Sequence, residues 1–243
     1  LKKFISELHG KSTGCSKGRG GSMHLIDLNV GFVASTSIVS NTIPVGVGLS
    51  LSSKILGKKQ ITIIYLGDAS VEEGVFFESL NFAIVKKIPV IFICENNLYG
   101  ASTRIENMIG VKEIKDRIKA YGIDSKSIDG MNVIEVYKTI KNYSKLIKEG
   151  CGPFFVECKT YRFVGHSRSD TNKYRSKEEE LLWKNKDPIK QLEKKLIKEK
   201  FVNKEYLNNV KKSVIKELNK AVRYAEKSPL PKIKNLKKNV YAL

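Results

Sequence analysis

Two nearly continuous runs of apolar residues in the first half of the chain predict buried β-strands. One run covers Ile61–Leu66 and ends at a glycine and an aspartate, and the other covers Val90–Cys94 and ends at a glutamate and two asparagines. Short apolar runs bounded by turn-forming residues are typical of strands that are covered on both faces of a parallel sheet. The pattern therefore predicts two core strands, each followed by a polar loop.

The residues between these strands have the period of an amphipathic helix. Phe76, Leu80, Ala83 and Ile84 lie at positions i, i+4, i+7 and i+8, and Pro89 ends the pattern. Strand, helix and strand form a right-handed crossover unit, which places the carboxyl ends of both strands at the same edge of a parallel sheet. Open α/β sheets bind ligands at this edge, so the unit predicts a binding site there.

The polar residues after the two strands are candidate metal ligands. Asp68 follows the first strand and Asn97 follows the second, so we expect the two side chains to meet. Together with the backbone carbonyl of Tyr99 they provide an all-oxygen ligand set suited to Mg²⁺, which keeps further positions for water or phosphate. A turn aspartate and a loop asparagine without any ligand have the same spacing, so both interpretations stay open at this point.

The residues around Asp68 suit a phosphate group. We expect Gly67 to permit a tight exit from the strand. The small side chains of Ala69 and Ser70 let a phosphate approach backbone N–H groups near a helix N-terminus. A diphosphate would then complete the ligand shell of the cation.

A second polar cluster follows the apolar segment Pro153–Glu157. Arg162 and His166 lie four residues apart in a loop, with Gly165 beside the histidine. A guanidinium group binds phosphate through two parallel hydrogen bonds, so this pair predicts contacts to a diphosphate or a carboxylate. A surface loop without function could carry the same residues. His24 has no acid, base or nucleophile beside it in the sequence, and we expect it to make structural contacts only.

Further patterns predict the elements around this core. Ser176 and Glu179 form a capping box that begins the C-terminal helices. A helical stripe from Leu207 to Ala225 predicts a core-facing helix rather than a membrane-surface helix. We expect one domain over residues 1–231 and a basic tail over 232–243. The other expected elements are helices at Leu1–Leu8, Val45–Leu56, Glu113–Tyr121 and Val133–Lys148, a strand approached through Gly122–Ile128, and a strand at Pro153–Glu157.

Composition changes this picture little. The 243 residues carry 44 Lys+Arg against 25 Asp+Glu, a formal net charge of +19, which makes nucleic acid or an acidic partner worth considering. The excess is rich in lysine, lies on helices after Ser176 and lacks interleaved aromatic residues, so it favours solvated helix faces over nucleic-acid binding. The four cysteines show no C-x-x-C spacing, which favours reduced thiols in a cytoplasmic protein. No apolar run approaches the length of about eighteen residues that a membrane span needs.

Several motifs, in order along the chain, resemble the thiamine-diphosphate-binding fold, and specifically the α subunit of the first component of 2-oxo acid dehydrogenases. The aspartate after the first strand and the asparagines after the second resemble the cofactor motif of that family, with Glu73, Gly74 and Asn81 between them. The resemblance implies an α/β fold with a mostly parallel sheet flanked by helices and a C-terminal helical extension. Three further segments carry the resemblance: Lys17–His24 (KGRGGSMH), Ile38–Gly48 and the active-site loop Thr160–Arg175.

The resemblance implies thiamine diphosphate and Mg²⁺ as cofactors. It places the metal on Asp68, Asn97 and the carbonyl of Tyr99, and it makes His166 the candidate catalytic residue. Backbone groups of Ser37 and Val39 would meet the aminopyrimidine ring of the cofactor. The complete set of implied cofactor-binding residues is Ser37, Val39, Gly67, Asp68, Ala69, Ser70, Asn97, Tyr99, Arg162 and His166.

The activity implied by the resemblance is oxidative decarboxylation of a 2-oxo acid, as in pyruvate dehydrogenase, followed by acyl transfer to a lipoyl group on a partner acyltransferase. In the family a glutamate from a separate β subunit completes the site. We therefore expect half an active site here and an α2β2 heterotetramer. We also expect that the N-terminal segment of the family is missing, because Leu1 falls in the middle of a helical pattern.

Departures from the family pattern keep two alternatives open. Ser37 and the Ser40-Asn41 pair stand where the family has glycine-rich residues, which favours a thiamine-diphosphate subunit for acetoin cleavage or for a sugar or polysaccharide pathway. Ala69 replaces a family glycine, which favours a degenerate cofactor-binding protein unless φ is negative at this position. Ser167 matches a serine that is phosphorylated in animal mitochondrial relatives. A second such site is Lys173 here, so regulation does not carry over.

Overall fold

The computed structural model describes residues 1–111, 113–235 and 238, and these form two compact units. The first unit contains residues 1–38 and the part of the chain from residue 199 onward, and the second contains residues 39–198. The single domain expected over 1–231 stays a prediction. Most of the basic tail expected over 232–243 lies outside the described residues.

The helices and strands follow the order expected for an α/β protein. The α-helices are α1 (Lys2–Leu8), α2 (Thr42–Ile55), α3 (Gly74–Val85), α4 (Ile114–Lys119), α5 (Val133–Lys148), α6 (Lys177–Lys184), α7 (Pro188–Lys198) and α8 (Lys204–Lys227). The strands are β1 (Thr62–Gly67), β2 (Val90–Asn96), β3 (Tyr99–Gly100), β4 (Thr103–Arg104), β5 (Asp124–Asp129) and β6 (Phe154–Lys159). Short 3-10 helices cover Leu28–Val30, Asp68–Glu72, Ile105–Asn107 and Ile233–Asn235.

A parallel sheet with the strand order β1-β2-β6-β5 organises the second unit. Its register pairs Gly67 with Glu95 and Asn96 with Lys159, so β1, β2 and β6 end at one edge of the sheet. β3 and β4 form a separate antiparallel pair just after β2. This arrangement confirms the predicted α/β fold with a parallel sheet flanked by helices.

Helices cover the two faces of this sheet. On one face Phe76 of α3 meets the rings of Phe92 and Phe155 edge to face, with centroid distances of 6.3 and 6.2 Å. On the other face Tyr143 of α5 stacks on Phe154 with a centroid distance of 4.2 Å. Alternate residues of β2 and β6 supply the two faces, which explains why both strands have nearly continuous apolar sequences.

β1 departs from the prediction that both core strands are covered on two faces. All side chains of Val90–Cys94 in β2 are buried, as predicted. In β1, however, Ile63 is 38% exposed and Tyr65 is 62% exposed, because β1 is an edge strand and helix α2 packs on its other face. Gly46 makes that packing close, since a Cβ added there would lie 2.6 Å from Cγ1 of Ile64.

The predicted helix bounds hold best where the amphipathic pattern is complete. Helix α5 has the predicted bounds, Val133–Lys148, with Asn132 as its N-cap. Helix α2 begins three residues earlier than predicted, at Thr42. Helix α4 begins one residue later than predicted, because Glu113 is its extended N-cap residue, and it ends two residues earlier, at Lys119. Element ends of this kind depend on local capping, which hydrophobic periodicity does not record.

The first unit pairs α1 with the C-terminal part of α8. Ala221 and Ala225 are buried there, whereas Val210, Val214 and Leu218 are 42%, 59% and 43% exposed. The prediction of a core-facing stripe along α8 is therefore wrong for most of the helix, because α1 is only seven residues long and covers only one end. Among the described residues, no helix combines the length and the apolar character that crossing a membrane would require.

Candidate cofactor and metal site at the carboxyl ends of the strands

Asp68 directly follows β1 and begins the 3-10 helix Asp68–Glu72. Its side chain is buried, and Oδ1 accepts a hydrogen bond from the Ala69 N–H at 2.9 Å, while Oδ2 is buried without a hydrogen-bond partner. Burial raises its pKa, although the backbone N–H groups of Ala69 and Asn97 and the charge of Arg162 act in the opposite direction. A buried carboxylate oxygen that accepts no hydrogen bond needs an explanation, and a bound cation supplies one.

The Asn97 backbone lies beside the Asp68 carboxylate, as the crossover unit predicts, whereas the expected meeting of the two side chains stays a prediction. β1 and β2 are hydrogen-bonded neighbours, and the Asn97 N–H lies close enough to the Asp68 carboxylate to affect its pKa. The Asn97 side chain is half-buried, and its Oδ1 accepts a long hydrogen bond of 3.4 Å from Nη1 of Arg162. The carboxamide oxygen thus points to the same polar edge as the carboxylate.

A buried side-chain pair that the sequence analysis missed holds the turn before Asn97. Nδ2 of Asn96 donates to Oε1 of Glu157 at 2.7 Å, and Oδ1 of Asn96 accepts from the Leu98 N–H at 3.1 Å. Leu98 has a φ of 74°, a conformation that costs about 1 kcal/mol or more for a residue with a side chain. A carboxylate within the apolar segment Pro153–Glu157 was the sequence signal for this pair.

Tyr99 is buried and lies at the start of β3, where it pairs with Arg104 of β4. Its hydroxyl donates to Oε2 of Glu179 at 3.1 Å and accepts from Nη1 of Arg104 at 3.1 Å. Burial and the Glu179 carboxylate raise the pKa of this phenol, which therefore stays a neutral donor. The side chain is fixed, and the β3–β4 hairpin carries the backbone carbonyl that the sequence suggested as a ligand.

The backbone around Asp68 leaves room for a ligand, but not for the reason predicted. Gly67 has ordinary extended angles, φ −87° and ψ 168°, so the expected tight exit from the strand is wrong. The nearest described atom to a Cβ placed on Gly67 would be Oγ of Ser70, 4.0 Å away, which leaves the space beside it open. Ala69 lies in the 3-10 helix without a positive φ, so alanine meets the condition under which it can replace glycine.

Arg162 and His166 are brought together by the loop after β6. Nη1 of Arg162 lies 3.3 Å from Nδ1 of His166, and Nη2 donates to the Ala101 carbonyl at 2.7 Å and to the Tyr174 hydroxyl at 3.1 Å. A guanidinium group can only donate, so Nδ1 is the acceptor and a neutral imidazole carries its proton on Nε2. Nε of Arg162 is buried without a hydrogen-bond partner.

Arg175 anchors this loop and was missed as a functional candidate. Its side chain is 1% exposed, and its guanidinium group donates to the carbonyl oxygens of Arg162 and Val164. No local pattern predicts this role, because the contacts join residues eleven to thirteen positions apart within an irregular loop. The guanidinium carbon lies 5.1 to 5.9 Å from the ring centroids of Tyr99, Tyr161 and Tyr174.

Asp170 closes the same loop from the other side. Its Oδ2 accepts from the His166 N–H and from the Tyr174 hydroxyl, both at 2.7 Å, and its Oδ1 accepts from the Asn172 N–H at 2.9 Å. The Tyr174 hydrogen bond, followed by those from Asn172 and His166, lowers the pKa of Asp170 to about 2. Asp170 thereby fixes the backbone from which the His166 side chain projects.

The two positions assigned to the aminopyrimidine remain predictions. Ser37 belongs to the first unit, where its side chain is exposed. Val39 lies in the turn before α2 in the second unit and is 54% exposed. The neighbouring Ser40 is buried with a φ of 62°, and its hydroxyl donates to the Ser70 carbonyl at 2.8 Å. Ser40 therefore ties the start of α2 to the 3-10 helix that begins at Asp68.

The chemistry of this edge fits a hard divalent cation that brings ligands of its own. Among the described residues, no cluster of three or more His, Cys, Asp or Glu side chains is placed to hold a metal ion. One buried carboxylate oxygen without a partner, one carboxamide and one backbone carbonyl offer an incomplete set of oxygen ligands. Mg²⁺ accepts such a set when water and substrate phosphates fill the remaining positions.

Comparisons with known proteins cover almost the whole chain. The family described as "Dehydrogenase E1 component" matches residues 1–234. A pyruvate dehydrogenase E1 component subunit alpha from Rickettsia bellii is 36% identical over 240 residues, which cover 99% of this chain and 74% of that protein. The subunit alpha of acetoin:2,6-dichlorophenolindophenol oxidoreductase from Bacillus subtilis is 35% identical over 242 residues, which cover 99% of this chain and 72% of that protein. A chloroplastic pyruvate dehydrogenase E1 component subunit alpha-3 from Arabidopsis thaliana is 36% identical over 99% of this chain and 58% of its own length.

Proposed function

This chain belongs to the dehydrogenase E1 component family, as an α subunit of the thiamine-diphosphate-dependent 2-oxo acid dehydrogenases, and we propose that it holds Mg²⁺ and the cofactor diphosphate for oxidative decarboxylation of pyruvate. The observation that carries the proposal is the buried Oδ2 of Asp68, which has no hydrogen-bond partner. The Asn97 backbone lies next to this carboxylate. A dication at this position would neutralise the carboxylate and satisfy its free oxygen.

Different residues near Asp68 would bind the metal ion and the diphosphate. Asp68, the Asn97 carboxamide and the Tyr99 carbonyl would hold Mg²⁺, and Gly67, Ala69 and Ser70 would leave the backbone open to the diphosphate. Bound thiamine diphosphate would supply the electron sink for decarboxylation, whereas the protein supplies position and electrostatics.

The loop after β6 would cover the other side of the diphosphate. Arg162 offers a guanidinium group that is already oriented by Ala101 and Tyr174. His166 is exposed, and its Nδ1 faces Arg162, so Nε2 is free to donate a proton or a hydrogen bond toward substrate or diphosphate. Proton transfer at Nε2 would make His166 the catalytic residue of this chain.

The activity would require partner proteins. The relatives named above are α subunits of multi-subunit enzymes, which supports a β subunit as partner and an α2β2 heterotetramer. A lipoyl-bearing acyltransferase would accept the acyl group. The four cysteines are free, which supports a cytoplasmic location.

Calorimetric titration of the assembled enzyme with thiamine diphosphate and Mg²⁺ tests the proposal. We expect the native enzyme to bind the cofactor only with Mg²⁺, and Asp68→Ala to abolish Mg²⁺-dependent binding. Asp116→Ala, which changes an exposed aspartate of α4, is the matched control and should bind normally. A native enzyme that bound neither component would have a degenerate cofactor site, the alternative that Ala69 favours.

Acetoin cleavage is the second candidate, favoured by the 35% identity to the Bacillus subtilis acetoin-oxidising subunit. Turnover of pyruvate and of acetoin by the chain assembled with its β subunit separates the two activities. We expect turnover of pyruvate to exceed that of acetoin, and we expect the isolated chain to turn over neither. Clear turnover by the isolated chain would contradict a site shared between two subunits.

A further inference from the structure

Several donors converge on a single carboxylate, that of Glu179, near the start of α6. Its Oε2 accepts from Nη1 of Arg104 at 2.7 Å and from the Tyr99 hydroxyl at 3.1 Å. Its Oε1 accepts from the Tyr161 hydroxyl at 3.0 Å. Both carboxylate oxygens are therefore used, and the three partners come from two different parts of the second unit.

The first two partners belong to one hairpin. Tyr99 and Arg104 lie directly opposite each other in β3 and β4, so Glu179 holds both strands of the hairpin at this residue pair. Tyr99 also contributes the backbone carbonyl that is proposed as a metal ligand. An interaction that fixes the Tyr99 side chain and its partner strand limits where this carbonyl can point.

The third partner belongs to the loop after β6. Tyr161 directly precedes Arg162, the proposed diphosphate contact, and its ring stacks on Trp183 of α6 with a centroid distance of 5.2 Å and an interplanar angle of 2°. Trp183 lies one helical turn after Glu179, so α6 holds Tyr161 by both its hydroxyl and its ring. Trp183 is the single tryptophan of the chain.

The charge of Glu179 is essential to this arrangement, because every partner acts as a donor toward it. Burial acts to raise its pKa, but the hydrogen bonds from Arg104 and the two tyrosines outweigh burial and leave the pKa lowered. Glutamine has the same shape, but it presents an NH₂ group where one of these donors now finds an acceptor. The capping box predicted for Ser176 and Glu179 is only half formed. The Ser176 hydroxyl accepts from the Glu179 N–H, but the Glu179 carboxylate accepts from Arg104 and the two tyrosines instead of from the Ser176 N–H.

We propose that Glu179 is a positioning residue that couples the Tyr99 hairpin to the loop bearing Arg162. Because α6 holds both segments, binding of the cation orders the loop for the diphosphate, and binding of the diphosphate orders the hairpin for the cation. The coupling rests on the proposed function, because it assigns the cation to the hairpin side and the diphosphate to the loop side. Glu179 touches neither ligand and acts through Tyr99 and Tyr161. Partners of this kind, which orient a metal ligand without binding the metal, change metal affinity by roughly ten- to a hundredfold when they are removed.

The assembled enzyme carrying Glu179→Gln tests the coupling by equilibrium binding. We expect the Mg²⁺ concentration for half-maximal thiamine-diphosphate binding to rise roughly tenfold or more, while saturating Mg²⁺ restores full binding. A variant that was merely misfolded would not be restored by the metal. Glu178→Gln changes the same charge on the exposed neighbouring residue, so it is the matched control and should need the native Mg²⁺ concentration.

Limited tryptic digestion gives a second measurement that does not depend on turnover. Arg168 and Lys173 are exposed residues of the loop, and we expect Mg²⁺ with thiamine diphosphate to slow cleavage there in the native enzyme. Glu179→Gln should lose most of this protection at a Mg²⁺ concentration that still protects the Glu178→Gln control. Tyr161→Phe removes one hydroxyl on the loop side and should lose protection with a smaller change in the Mg²⁺ requirement.

Fluorescence of Trp183 reports the same coupling in the assembled enzyme, with Trp183→Phe as the blank. We expect addition of Mg²⁺ and cofactor to change the emission of the native protein and to leave that of Glu179→Gln nearly unchanged at the same Mg²⁺ concentration. If the native protein binds Mg²⁺ and cofactor but Glu179→Gln matches it in Mg²⁺ requirement, digestion and fluorescence, the coupling is wrong. If the native protein itself shows no Mg²⁺-dependent binding, the proposed function fails and the coupling fails with it.

Discussion

Asn96 and Glu157 form a side-chain hydrogen bond inside the sheet, with Nδ2 of Asn96 lying 2.7 Å from Oε1 of Glu157. Glu157 is fully buried and Asn96 is 5% exposed, and the second oxygen of Glu157 accepts from the Lys115 N–H at 3.3 Å. The same asparagine accepts from the Leu98 N–H and so holds the turn that presents Asn97. A buried glutamate in β6 thus helps to hold the turn that carries the candidate ligand after β2.

Removing the amide at position 96 should destabilise the protein. Asn96→Ala leaves the buried Glu157 carboxylate with only the Lys115 N–H as donor, and a buried polar group that loses its partner costs about 1–3 kcal/mol, or more when it is charged. We expect the free energy of unfolding in urea to fall by about 2 kcal/mol or more. Asn142→Ala, on an exposed position of α5, is the control and should leave stability unchanged or slightly higher, because alanine favours the helix.

The Asp68→Ala variant should separate folding from ligand binding. Without Mg²⁺, the variant removes a buried oxygen that has no partner, so we expect the free energy of unfolding to change by less than about 1 kcal/mol. With Mg²⁺ and thiamine diphosphate at a hundred times the dissociation constant, ligand binding should stabilise the native protein by about 2.7 kcal/mol. The variant should gain none of this, and equal stabilisation of both proteins in thermal denaturation would contradict the role of Asp68.

Arg175→Lys should loosen the loop that carries Arg162 and His166. The guanidinium group of Arg175 donates to two backbone carbonyls and packs against three tyrosine rings, and an ammonium group cannot reproduce that planar geometry. We expect a loss of about 1.5–3 kcal/mol in the free energy of unfolding, the range for hydrogen bonds that involve a charged group. Faster tryptic cleavage after Arg168 would localise the effect, whereas Arg168→Lys, an exposed neighbour, should change stability little.

The sequence predicted those parts of the site that depend on local pattern. One crossover unit is predicted entirely from local patterns. These are the apolar run before Asp68, the helical period from Phe76 to Ile84 and the apolar run before Asn97. The handedness rule then brings the two polar ends together. For this reason the approach of the Asn97 backbone to Asp68 was predictable from the sequence.

The residues that hold the site in place were not predictable in this way. Glu157 and Asn96 are 61 positions apart, and Glu179 and Tyr99 are 80 positions apart. Hydrophobic periodicity records only which face of an element is buried, and it does not record which polar side chain will meet which. The exposed face of β1 was missed for a related reason, because a strand's place in the sheet order is set by pairing with distant strands.

The titration of Asp170 should depend on the Tyr174 hydroxyl. Its pKa is lowered to about 2. The ionised Asp170 therefore contributes to the stability of the folded state fully above the ordinary pKa of 3.8, and this contribution is lost as pH falls through about 2. Tyr174→Phe removes the hydroxyl hydrogen bond that lowers the pKa of Asp170 most, so we expect this pKa to rise toward the ordinary value. NMR titration of labelled aspartate carboxyl carbons measures this shift directly. An unchanged pKa in the variant would mean that the backbone N–H groups of Asn172 and His166 are sufficient.

The glycine-rich loop of the first unit is built around a buried carboxylate. Oε2 of Glu7 accepts from the Ser16 and Gly18 N–H groups at 2.8 and 3.0 Å, and its Oε1 accepts from the Gly20 N–H at 2.6 Å. A Cβ added to Gly14 would overlap the Glu7 carboxylate and would lie 2.7 Å from the Glu7 Cα. The glycines therefore allow the loop to close on the chain's own α1 helix.

Replacing this carboxylate with an amide of the same size should release part of the loop. In Glu7→Gln one accepting oxygen becomes a donor, so at least one of the three buried N–H groups loses its partner, at a cost of about 1–3 kcal/mol. We expect a corresponding drop in the free energy of unfolding and faster hydrogen exchange at Gly18 or Gly20. Glu217→Gln, which makes the same change at an exposed position of α8, should alter neither measurement. Slow exchange of both glycine amides in Glu7→Gln would mean that the loop is held by other contacts, such as the hydrogen bond from the Ser16 hydroxyl to the His24 carbonyl.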